Sequence, residues 1–232
     1  MTTSTLPTFN FNNVNPSTII NDIKQDIATL EAAANAAAKA TPTWHGLMTE
    51  LDDIEEVMHQ RFGPFSHLHS VKNTPELRKA YEQCLALLSE HSSKMGQNLE
   101  LYNAYHALNQ SDAAASFNSA QQKLMHDTLQ AFQLSGVDLP TDKKARFKAI
   151  QLELSQLCNQ YENNVMDATD LWFLHVEDKT ELAGLPDFAL AGAAQKAQDK
   201  KLTGHVLGID LPCYINVLTH CSHRPTREKI YE

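Results

Sequence analysis

Eleven histidines and four cysteines carry the metal-ligating potential of this 232-residue sequence. The tightest grouping is His220-Cys221-Ser222-His223, a spacing that could bring one thiol and two imidazoles together. Structural zinc sites take four ligands, typically as two spaced pairs. No second Cys/His pair with suitable spacing accompanies this one, so the expectation is a polar helix end before Pro225. His67 and His69 lie on one short segment, at a spacing that cannot put both on one helix face. They read as exposed or hydrogen-bonded histidines. A catalytic zinc helix would require H-E-x-x-H, and no His in the chain is followed by Glu. His126-Asp127 comes nearest, with Gln130 where the second His would have to stand.

Asp52, Asp53, Glu55 and Glu56 form an acidic cluster. A carboxylate pair acting as general acid and base needs an enclosed cleft that drives the two pKa values apart. On an amphipathic helix the expectation is a solvated face. Cys84, Cys158, Cys213 and Cys221 stand singly, without C-x-x-C, and nothing marks one as activated by a neighbouring base. Cys84 and Cys158 fall on apolar helix faces, as buried, reduced thiols of a cytosolic protein would. No G-x-S-x-G, P-loop or G-x-G-x-x-G occurs. On its own residues the chain reads as a helical scaffold without a recognisable active site.

Composition agrees with a scaffold. Hydrophobic residues make up 42% of the chain and charged residues 20%, with only 8 Gly and 9 Pro. Strong helix formers dominate, and the length suffices for a real core. A net charge of −9 argues against nucleic acid, which calls for clustered Lys and Arg. The densest basic run, Lys143-Lys144-Ala145-Arg146, reads as a solvated helix face. The N-terminal stretch MTTSTLPTFNFNNVNP lacks the basic and apolar regions of a signal peptide. No apolar run approaches the roughly 20 residues that span a membrane.

The elements follow from periodicity and caps. Asn15-Pro16 opens a first helix with a stripe of Ile19, Ile23, Ile27, Leu30 and Ala34, which Thr41-Pro42 breaks. A second helix carries Trp44, Leu47, Leu51, Ile54 and Met58 and is expected to end at Gly63-Pro64, with two further turns from Phe65 to Val71. Thr74-Pro75-Glu76 opens a third, striped with Leu77, Tyr81, Cys84 or Leu85, and Leu88. Residues from about Ser93 to Leu108 read as a fourth, with Leu99, Tyr102, Tyr105 and Leu108 apolar. After a loop at Asn109–Asp112, a fifth carries Leu124, Leu129, Phe132 and Leu134 and stops at Gly136.

A long helix then starts near Pro140. Phe147, Ile150, Leu154, Leu157, Tyr161, Val165 and Ala168 recur at spacings of three and four, a stripe about 30 Å long at about 1.5 Å per residue. Such a stripe is expected to find partners along its length, making this helix the spine of a bundle. Beyond Trp172 the pattern changes to two short β-branched runs, Phe173–Glu177 and His205–Asp210. They are expected to pair around a helical excursion that starts at Pro186. Pro212 and Pro225 open two short final helices. The last has no stop signal and ends on Glu232, at the negative end of the helix dipole, so the chain reads as the leading piece of something longer.

The fold class expected is therefore mainly α: a multi-helix lobe over 1–171, then an α+β segment over 172–232 with a small β-hairpin near residues 172–177 and 205–210.

Several segments, in order and spacing, resemble the N-terminal part of the thimet-oligopeptidase-like (M3) family of zinc metallopeptidases. They begin with Pro42-Thr43-Trp44, Pro64-Phe65-Ser66-His67-Leu68 and Pro75-Glu76-Leu77-Arg78. Leu87-Leu88-Ser89-Glu90 and Met95-Gly96-Gln97-Asn98 follow. The strongest is Leu134-Ser135-Gly136-Val137-Asp138-Leu139-Pro140 with Lys143-Lys144-Ala145-Arg146-Phe147. Asn164-Val165-Met166-Asp167-Ala168-Thr169 and Glu181-Leu182-Ala183-Gly184-Leu185-Pro186 complete it.

The resemblance implies a cytoplasmic enzyme with two helical lobes around a channel that admits only short peptides. The family's H-E-x-x-H and third ligand, a Glu, lie later in its sequence than this chain reaches. No catalytic, cofactor-binding or metal residue carries over. Zinc is implied for the full-length enzyme and none for this chain, which is expected to be inactive alone. Short peptide substrates and the C-terminal catalytic lobe are the partners implied, without nucleic acid or membrane. The other reading is a stand-alone helical binding or regulatory module without catalysis, which would require its apolar stripes to be covered internally.

Overall fold

The computed structural model describes Phe11, residues 14–72 and residues 74–232. Most of the stretch read as lacking a signal peptide lies outside the described residues. The chain divides into two compact units, 1–158 and 159–232.

The first unit is helical: α1 (Ile19–Lys39), a π-helical turn (His45–Thr49), α2 (Glu50–Lys72), α3 (Pro75–Gly96), α4 (Leu99–Asn109), a short 3-10 turn, α5 (Ser119–Leu134) and the leading half of α6 (Thr141–Leu171). Its core gathers Ile23 of α1, Leu47 of the π turn, Phe65 of α2, Cys84 of α3, Leu108 of α4 and Met125 of α5. The caps explain the boundaries. The Asn15 side chain accepts from Ser17 N–H at 2.9 Å, closing the turn that leads into α1. Thr74 Oγ1 accepts from Leu77 N–H at 3.3 Å ahead of Pro75. Asn118 and Gln121 form a reciprocal capping box at the start of α5.

The end of α5 shows why Gly136 stops a helix. Val137 N–H bonds back to Phe132 C=O at 3.1 Å and Gly136 N–H to Gln133 C=O at 3.0 Å. That closure places Gly136 at φ +81°, a left-handed conformation that favours glycine. It also folds Val137 into the core beside Phe132.

The structure departs from the sequence expectations at several points. Gly63-Pro64 does not end the second helix, because α2 runs through Pro64 to Lys72. Proline inside a helix removes one backbone bond and costs about 3 kcal/mol. The opposing gain lies in packing beyond the proline: Phe65 is fully buried, and the His69 ring stacks on Tyr81 at 4.0 Å. The third helix does not yield near Ser93 but continues to Gly96, and Asn98 caps α4 by accepting from Leu101 N–H. Leu99, Leu124 and Leu134 are exposed, while Leu101 and Met125 take the inward positions. Cys158, expected to be buried, is exposed.

The largest correction concerns α6. The helix forms as expected, 31 residues long, but its stripe is not a buried spine. Leu154 is 49% exposed, Leu157 53% and Tyr161 70%, and its buried residues are Asn159 and Asn163.

In the second unit β1 (Leu174–Val176) pairs antiparallel with β2 (His205–Leu207), in the register Leu174 to Leu207. The expected pairing around a helical excursion is what forms. The excursion is a 3-10 turn (Lys179–Leu182) and α7 (Asp187–Asp199); α8 (Leu211–His220) and α9 (Arg224–Tyr231) follow. Asp210 caps α8 by accepting from Cys213 N–H at 3.2 Å. Val176, Leu182, Leu207, Val217 and Ile230 form this unit's own core. At Gly184, φ is +91° and an added Cβ would run into the carbonyl oxygen of His220. The turn can therefore pass that close only with glycine.

Candidate functional site

The residues singled out for chemistry are placed by these elements in structural roles. In the second unit Cys221 is buried, with Sγ 3.4 Å from Glu181 C=O and 3.8 Å from His223 C=O. His223 Nδ1 lies 2.8 Å from Thr226 Oγ1, which itself donates to Glu181 C=O at 3.0 Å. Ser222 N–H and Oγ both reach Ala183 C=O, and an Arg227 N–H donates to Cys221 C=O. This network fastens the Glu181–Gly184 turn to the α8–α9 junction. It spends Cys221 Sγ on backbone carbonyls and His223 Nδ1 on the Thr226 hydroxyl. Among the described residues no three His, Cys, Asp or Glu side chains gather in a group that could hold a metal ion.

His67 is exposed beside Phe11, whereas His69 is buried in the stack on Tyr81. His126 is exposed, and Asp127 pairs with Lys123 one helical turn away. Asp52, Asp53, Glu55 and Glu56 lie on the exposed face of α2. Lys143 and Arg146 are exposed in the first turns of α6, as a solvated face requires. Burial pushes the Cys84 thiol up to about 11 and also raises Cys213, the opposite of the shift that activates a nucleophile.

Two polar features of the first unit escaped the sequence. On α1, Glu31 meets His91 Nδ1 at 3.3 Å and Lys94 Nζ at 2.5 Å, both on α3. Partial burial raises the Glu31 carboxyl, but the hydrogen bonds from Lys94 and His91 outweigh it and hold the group below its usual 4.5. Tyr105 Oη donates to Leu47 C=O at 2.6 Å. Burial, then the nearby Glu55 and Asp52 charges, push that phenol up to about 12. These partners are 58 to 63 residues apart, beyond any local spacing signal.

Both features border a cavity of about 620 Å³ walled by Leu51 and Phe62 of α2, His91 of α3, Tyr105 of α4 and Phe132 of α5. A second concavity, of about 720 Å³, opens between α3, α5 and the start of α6. Each is mainly apolar, and among the described residues no His, Cys, Asp or Glu side chains gather in a group that could hold a metal ion.

Comparison with known proteins decides the family. Residues 17–144 match the N-terminal domain of neurolysin/thimet oligopeptidase. This chain belongs to the thimet oligopeptidase (M3) family. Oligopeptidase A of Escherichia coli K12 is 44% identical over 212 residues, covering 91% of this chain and 30% of that protein. Oligopeptidase A of Salmonella typhimurium LT2 is 42% identical over 233 residues, covering 100% of this chain and 34% of that protein. The Escherichia coli dipeptidyl carboxypeptidase is 26% identical over 205 residues. The chain thus spans about a third of the length of these M3 relatives. Its helical first unit is the part on which the M3 domain match falls.

Proposed function

We propose that this chain is the N-terminal, channel-wall portion of an oligopeptidase A-type zinc metalloendopeptidase that hydrolyses short peptides in the cytoplasm. It shapes the substrate channel and braces the catalytic lobe, and by itself it neither holds catalytic zinc nor cuts peptide. The observation that carries this reading is the 44% identity to an oligopeptidase A over 91% of this chain and only 30% of that protein. Four free cysteines fit a reducing compartment. The donor set does not fit zinc: no H-E-x-x-H occurs in the sequence, and no metal-holding group forms among the described residues. In an oligopeptidase A-type enzyme the metal-activated water would therefore belong to residues outside this sequence. The exposed stripe of α6 supports the reading further, since a stand-alone module should cover such a face internally.

The test adds a short fluorogenic peptide and zinc to the isolated chain. Hydrolysis should match the buffer blank. Joining the chain to the portion of Escherichia coli oligopeptidase A that follows the matched region should yield chelator-sensitive hydrolysis. Chelator-sensitive turnover by the isolated chain, at a rate typical of an intact enzyme, overturns the proposal.

A further inference from the structure

The groove between α3, α5 and the leading half of α6 is an open part of the first unit. It holds about 720 Å³ and is lined by Leu88 of α3, Leu134 of α5 and Phe147 and Leu154 of α6. Leu134 is 73% exposed, and Leu157 continues the exposed apolar surface one turn beyond Leu154. Two side-chain pairs tie α6 to α3, the first within the groove lining and the second outside it, and both are polar. Ser89 Oγ lies 2.8 Å from Ser155 Oγ, and Lys148 Nζ is 2.6 Å from Glu90. Surface pairs of that kind contribute little, about 0–1 kcal/mol, so they position the helix without closing the groove. Apolar side chains left exposed on two neighbouring helices are a candidate interaction site.

The geometry points to one occupant: an apolar segment from the portion of an oligopeptidase A-type chain that follows the region matched here. This rests on the function proposed above and names the surface through which that function is exerted. Two observations select the occupant. The relatives carry about two thirds of their length beyond what this chain covers, ample sequence to supply such a segment. A second copy of this chain is disfavoured because each copy carries a net charge of −9, which opposes self-association. The groove is large enough for several aliphatic side chains, and filling it would bury Leu134 and Leu154 together.

Cys158 lies at the groove's edge and is exposed, so its alkylation rate, read by mass spectrometry, reports whether the groove is covered. The rate is measured in the isolated chain and in a chimera where this chain replaces the matched region of Escherichia coli oligopeptidase A. Alkylation in the chimera should be roughly tenfold slower or more, the protection expected of a docked segment. Leu134→Glu and Leu154→Glu should restore the fast rate, and Leu124→Glu, exposed elsewhere on α5, should not. Equal rates in a chimera that hydrolyses peptide overturn the docking surface and leave the proposed function standing. Protection already present in the isolated chain, with a dimer that Leu134→Glu dissolves, makes a second copy the occupant and also overturns it. A measurement on the isolated chain needs no chimera. Leu134→Glu and Leu154→Glu should each shift the melting temperature by less than about 2 °C, as surface substitutions do. A fall beyond about 5 °C shows the leucines already packed and overturns the open groove.

Discussion

Helices α1 and α6 carry the same kind of signal in sequence and meet opposite fates in the structure. Each has apolar residues recurring at spacings of three and four along its length. In α1 that stripe is sealed: Ile23 and Ala34 are fully buried, and the helix packs against α2, α3 and α4. In α6 the stripe is open, and the residues it buries are two asparagines. The difference lies partly in side-chain size. Ala33, Ala34, Ala37 and Ala38 give α1 a flat surface that neighbouring helices can approach closely. Both stripes also carry large aliphatic residues, Ile23 and Leu30 in α1 and Leu154 and Leu157 in α6; those of α1 are buried and those of α6 are not. Periodicity establishes that a helix has an apolar face; it does not establish that the same chain covers it.

The largest effect that separates the two helices is cavity formation. Ile23→Ala in α1 should lower the stability of the first unit by about 2–5 kcal/mol, the range for emptying a packed aliphatic site. Urea denaturation followed by circular dichroism would show it as a lower midpoint at unchanged slope. A loss below about 0.5 kcal/mol would mean that the α1 face is no better packed than the α6 face.

Next in size is the polar edge of each helix. Glu31 of α1 is partly buried where it takes Lys94 and His91, so Glu31→Gln should cost about 1–2 kcal/mol at neutral pH by weakening two charge-assisted bonds. Its carboxyl is held below 4.5 in the folded state, so the contribution is present above 4.5 and lost as pH falls through the lowered value. The variant's stability should accordingly fall less steeply than the parent's below about pH 4.5. An unchanged acid limb would mean the pair contributes nothing. Lys148 of α6 makes the matching contact to Glu90 of α3, but both partners are solvent-exposed. Lys148→Gln should therefore cost no more than about 0.5 kcal/mol, and that little should vanish in high salt.

Much of the fold was legible because its signals are local. Thr74-Pro75, Gly136 and Pro186 mark boundaries that the structure keeps, whereas Asn15-Pro16 opens only a turn and α1 starts at Ile19; the strand pairing of β1 with β2 follows from two short alternating runs. The errors share one cause. Pro64 is a local stop signal overridden by the burial of Phe65 and the stacking of His69, which depend on α3. Leu99 and Leu124 fit a stripe by spacing, but neighbouring helices meet the faces of Leu101 and Met125 instead. The Glu31–His91–Lys94 and Tyr105–Leu47 contacts join residues that no window spans. The candidate site was legible mainly as an absence of motif. The open groove could not be seen, because exposure is a property of the assembled unit and not of the stripe.

The smallest expected effect is also the sharpest test of the comparison. Leu157 occupies a stripe position in α6 equivalent in pattern to Ile23 in α1, yet it is half exposed and lies outside the groove lining. Leu157→Ser removes an aliphatic side chain from water instead of from a core, so no cavity forms and no buried partner loses contact. Serine is a slightly poorer helix former, a penalty of a few tenths of a kcal/mol. The net change should stay within about 0.5 kcal/mol, and binding of a hydrophobic dye should fall as the exposed apolar surface shrinks. A loss near the Ile23→Ala value would show that the α6 face is packed within the chain after all, and the two helices would then differ in composition but not in role.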